Sequence, residues 1–74
     1  MSYEKFCQKI GLKIKYYRQL NHLTQSYFAE KINMDVRYLS DIECGKKNIT
    51  LKTIYKLAQN LDIKPEDLFI FPNK

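Results

Sequence analysis

Arg37, Ser40, Asp41 and Cys44 stand three and four residues apart, so on a helix they share one outward stripe. Side chains of these kinds recognise a partner rather than transform one. The planar fork of Arg37 matches guanine O6 and N7, a contact worth roughly 1–3 kcal/mol of discrimination between bases. Asp41, one turn later, can accept from cytosine N4, or it can orient Arg37 as an i,i+4 pair. The pairing role is the preferred one, although the Arg-before-Asp order is worth only about a few tenths of a kcal/mol. Ser40 can reach a base edge or donate to a phosphate. Val36 either touches a thymine methyl or packs against the neighbouring helix, and Tyr38 either donates to a phosphate or sits as a partly buried ring. Upstream, Thr24 and Gln25 stand where a helix begins, and the Gln25 amide and the free backbone N–H groups there suit a phosphate. Downstream, Lys46, Lys47 and Asn48 form a basic loop in which each neutralised phosphate would release counterions.

Catalysis has no comparable set of residues. His22 is the sole histidine and falls in an expected turn, Cys7 and Cys44 lack a C-x-x-C spacing, and no carboxylates converge. The reading is therefore not an enzyme, with no metal, no cofactor and no small-molecule ligand expected. Seventy-four residues suit a single domain over 1–74, near the lower limit for a self-sufficient apolar core. A formal charge of +5 favours an acidic polymer or an anionic membrane surface as partner. Charges at Glu4, Lys5 and Lys9 break up any apolar leader, and no apolar run approaches membrane-spanning length. The expected setting is the reduced cytoplasm, with no membrane association.

The elements that must position these residues are all helical. Tyr3, Phe6, Cys7, Ile10, Ile14 and Tyr17 set the rhythm of a first helix over roughly 3–20, stopped at Asn21 and His22. Thr24 caps a second helix over about 25–31 with Phe28, Ala29 and Ile32 on its buried side. Asn33 occupies the reversal, where positive φ is required, and Asp35 caps a third helix over about 36–44 that Gly45 ends. Thr50 caps a fourth, with Leu51, Ile54, Leu57, Ala58 and Leu61 as its core stripe. "KPEDLF" opens a short fifth helix with Pro65 at its first position.

Two short helices joined by so brief a turn, residues 24–44, have the geometry of a helix-turn-helix. In that motif the second helix enters the DNA major groove while the first braces it. The chain resembles the lambda-repressor/Cro-like regulators, also called the xenobiotic-response-element family, over nearly its whole length. The resemblance is carried by Gly11, Ile14 and Arg18, by Leu23-Thr24-Gln25, by Ala29-Glu30-Lys31, and by Leu39-Ser40, Ile42-Glu43 and Gly45-Lys46. Asn33 stands in place of the usual turn glycine, His22 in place of another, and Ile49 where proline is common.

The resemblance implies an all-α, five-helix, lambda-repressor-like domain that regulates transcription by binding double-stranded DNA at a palindromic operator as a homodimer. Val36, Arg37, Ser40 and Asp41 would read bases, and Thr24, Gln25, Tyr38, Lys46, Lys47 and Asn48 would hold phosphates. It also implies a partly buried ion pair of Arg18 with Glu43. In its small size the chain is similar to the controller proteins of restriction–modification systems and to compact phage repressors. The alternative is a protein-interaction module on the same fold, of the antitoxin or anti-repressor type, with DNA binding secondary. Phe69, Ile70 and Phe71 exceed what one small monomer can bury, so they are the expected dimer contact.

Overall fold

In the computed structural model, which describes residues 1–71, the expected helices follow one another in order. They are α1 (Tyr3–Leu20), α2 (Gln25–Lys31), α3 (Val36–Glu43) and α4 (Leu51–Asn60), followed by one 3-10 helix, Pro65–Phe69. Each α-helix starts on a side-chain cap. Ser2 Oγ accepts from Lys5 N–H, Thr24 Oγ1 from Tyr27, Asp35 Oδ1 from Arg37 and Thr50 Oγ1 from Thr53, at 2.8–3.1 Å. The chain leaves α1 and α2 through His22 (φ 60°) and Asn33 (φ 58°), and Gly45 (φ 76°) ends α3, all in the left-handed region the sequence predicted for these turns. Asp62 (φ 60°) does the same after α4, a left-handed turn not foreseen from the residues.

Two expectations are corrected here. Among the described residues there are four α-helices, not five, because Pro65–Phe69 closes as a 3-10 turn. Asp67 N–H reaches only three residues back, to the Lys64 carbonyl (2.9 Å), while the Asp67 carboxylate accepts from Lys64 N–H (3.0 Å). Pro65 contributes no N–H, and five residues are too few to favour the longer bonding pattern. The second correction is Leu51, 82 % exposed rather than part of the core. It stands on the core side of α4 but at the first helical position, a full turn before Ile54, and overhangs the end of the core.

The core itself is built where the helices meet. Ile14, Phe28, Leu39, Ile42, Leu57, Leu61 and Leu68 are fully buried. Packing of α1 on α3 depends on Gly11, since a Cβ there would lie 2.4 Å from the Ile42 carbonyl oxygen and 2.5 Å from that of Glu43. Helix backbones this close can meet only at a residue without a side chain. The contact sets α3 firmly against α1 and turns the other side of α3 outward. Among the described residues no helix is long and apolar enough to cross a membrane.

Candidate nucleic-acid interface

Behind the outward face of α3 lies a buried polar knot that fixes its carboxyl end. Arg18 Nε donates to Glu43 Oε2 (2.6 Å), Arg18 Nη2 to Glu43 Oε1 (3.1 Å) and Arg18 Nη1 to the Leu23 carbonyl (2.6 Å). Both residues are almost fully buried, so the fork-on-carboxylate geometry satisfies charges that would be costly alone. Gln25 adds a fourth donor, its Nε2 bonded to Glu43 Oε1 at 2.9 Å. One carboxylate thus joins the end of α1, the start of α2 and the end of α3. The Arg18–Glu43 pair was expected; the third partner was not. Its consequence is that one N–H of the Gln25 amide is committed inward, which leaves its second N–H and the free backbone N–H groups of the first turn of α2 as donors.

On α3, Arg37 and Val36 are exposed and Ser40 and Asp41 half-buried. The expected Arg37–Asp41 pair does not form: the one ion pair among the described residues is Arg18–Glu43. Holding a long exposed side chain costs as much as this weak arrangement returns. Arg37 is anchored only through its backbone N–H, bonded to Asp35 Oδ1, and its guanidinium stays available. Tyr38 is half-buried against the core, with Lys47 Nζ 6.0 Å above its ring.

The basic loop is held by contacts that span the chain. Gly45 presses on α1 so closely that a Cβ would come within 2.7 Å of Gln8 Cα. Lys46 N–H bonds the Asp41 carbonyl (2.9 Å), carrying the end of α3 into the loop. Tyr3 Oη donates to Asn48 Oδ1 at 2.6 Å. The neighbouring Cys7 side chain holds the Tyr3 pKa above its ordinary value. Sequence reasoning missed this contact, and helical periodicity carries no signal for residues 45 positions apart. It leaves the Lys46 and Lys47 side chains exposed beside α3, while the Asn48 side-chain oxygen is already engaged.

The expected dimer residues divide. Phe71 is half-buried, packed edge-on to Phe6 with ring centroids 6.2 Å apart and Lys9 over its face. Phe69 also stacks on Phe6, with ring centroids 6.2 Å apart, yet remains 41 % exposed, and Ile70 is 61 % exposed.

Residues 14–68 match the helix-turn-helix family HTH_3. The chain belongs to this helix-turn-helix family. It is 41 % identical over 59 residues to an uncharacterized HTH-type transcriptional regulator of Methanocaldococcus jannaschii, a match covering 80 % of this chain and 89 % of that one. To the control protein C.MunI of a Mycoplasma species it is 37 % identical, with 82 % and 84 % covered. Among solved structures, the restriction–modification controller protein C.AhdI of Aeromonas hydrophila superposes with a TM-score of 0.81 at 35 % identity, covering 85 % of this chain and 96 % of that one. As a member of the helix-turn-helix family the chain is a DNA-binding transcriptional regulator.

Proposed function

We propose that this regulator binds a palindromic operator in the cytoplasm as a homodimer, with α3 in the major groove of each half-site. Arg37 reads a guanine, with Val36, Ser40 and Asp41 beside it on the groove face. Lys46 and Lys47 hold phosphates at the exit of α3, and Thr24, Gln25, Tyr38 and Asn48 flank the same backbone. The observation that carries this reading is the Glu43 knot. It fixes α2 and α3 at one angle from behind and leaves the unpaired Arg37 fork and the two lysines on the outside, a rigid reader backed by mobile cations. The domain-wide extent, 1–74 as one unit, belongs to the same proposal, and catalysis has no part in it.

The test sets one variant against the parent on the duplex the protein binds best. Arg37→Ala relaxes preference at one base pair of each half-site and leaves the salt dependence nearly intact. Equal loss on every sequence makes Arg37 a backbone contact and overturns its assigned role.

A further inference from the structure

The face of α1 turned away from α3 has no role in the core or in the DNA-reading surface. On one side of this helix Gly11, Ile14 and Arg18 face α3 and the core. Lys9, Leu12, Lys13, Tyr16 and Leu20 recur at three- and four-residue spacing on the other. Leu12 is 60 % exposed, Tyr16 54 % and Leu20 57 %. Lys9, Leu12, Lys13 and Tyr16 of this stripe, with Tyr17 and Phe71, line a shallow trough of about 520 Å³. Its lysines are set against rings rather than acids: Lys13 Nζ lies 5.8 Å from the Tyr16 ring centre and 5.1 Å from that of Tyr17, and Lys9 Nζ 5.6 Å from that of Phe71. Within α1, Glu4 is the single acid against Lys5, Lys9, Lys13 and Lys15.

An exposed apolar row edged by positive charge with no acidic counterpart is half of an interface. We infer that this α1 face docks an amphipathic helical segment of a partner protein, whose apolar row packs along Leu12, Tyr16 and Leu20 and whose acidic edge meets Lys9 and Lys13. The row extends over about two helical turns, so a helix laid along it meets apolar anchors at matching i, i+4 and i+7 or i+8 positions. Leucines within the row and the absence of arginine beside it suit a helix better than a nucleic-acid strand, which would need a continuous cationic track. A regulator so equipped holds DNA on one side and a second protein on the other. This inference does not depend on how α3 reads its operator.

The probe is a synthetic helical peptide of about 18 residues with leucines at that spacing and glutamates on both edges, labelled at its amino end and titrated into the intact protein. A scrambled peptide of identical composition is the control. Saturable binding is expected for the patterned peptide alone, with backbone amide resonances of residues 9–20 shifting and those of α3 unmoved. Lys9→Glu/Lys13→Glu and, separately, Leu12→Ser/Leu20→Ser should each weaken it at least about tenfold. The leucine variant should melt as the parent does and keep its affinity for duplex DNA. Four results overturn the inference: no saturable binding, equal binding of the scrambled peptide, shifts centred on Arg37 and Lys46, or unchanged affinity in both variants. Loss of self-association in the Leu12→Ser/Leu20→Ser variant would assign the face to a second copy of this chain instead. Variant-sensitive binding to phosphatidylglycerol vesicles, with none to the peptide, would assign it to lipid.

Discussion

Glu43 accepts from Arg18 twice and from Gln25 once, all within a buried pocket. Glu43→Ala strands the Arg18 guanidinium away from water, at a cost of about 3–5 kcal/mol, which in a domain this small lowers Tm by more than about 10 °C. Gln25→Ala removes one hydrogen bond to a charged acceptor and costs less, about 1.5–3 kcal/mol. A thermal melt followed by circular dichroism ranks the two, and an unchanged melt for Glu43→Ala would mean that the knot carries no stability. Gly11 poses a different constraint. The single methyl of Gly11→Ala collides with backbone carbonyls of α3 that no side-chain rotation can move aside, so this smallest of substitutions should destabilise the fold while also displacing α3. Arg37→Ala, by contrast, should leave the melt unmoved, since its side chain supports nothing else in the fold.

Between elements, the loop after α3 is the place to separate electrostatic holding from base reading. Lys46→Ala/Lys47→Ala should flatten the slope of log K against log salt by up to about 0.9 for each lost contact per subunit. An unchanged slope would remove the loop from the interface. How far such elements could be foreseen depended on the range of the forces that make them. The caps at Thr24, Asp35 and Thr50 and the left-handed turns at Asn33 and Gly45 are local, and the residue types alone announced them. Leu51 was misjudged because periodicity tells which face of a helix a residue occupies, not where the core ends. The last helix was misjudged because α and 3-10 bonding are close in energy over so few residues. Within the site, the spacing placed Arg37, Ser40 and Asp41 on one stripe, but it could not show that Arg37 stays unpaired, nor that Tyr3 and Asn48 meet.

At the scale of the whole molecule, a chain of 74 residues leaves Leu51, Phe69 and Ile70 outside its core, and with Tyr3 and Phe6 the first two border a single apolar groove. Apolar surface of this kind around Phe69 and Ile70 is what a two-fold contact would cover, setting two copies of α3 about one DNA turn, roughly 34 Å, apart. Phe69→Asp/Ile70→Asp should shift the protein toward monomer in sedimentation at matched concentrations, and equal dimerisation of variant and parent would move the contact elsewhere. Phe71 is left out of that pair of substitutions because its packing on Phe6 serves the monomer. The most direct measurement is selection of bound sequences from a random duplex pool by the intact protein. A rigid α3 presented twice by a symmetric dimer predicts an enriched palindrome whose half-sites lie one helical turn apart and share a guanine at one fixed position. Recovery of unenriched sequence even at low salt would contradict sequence-specific reading by this helix.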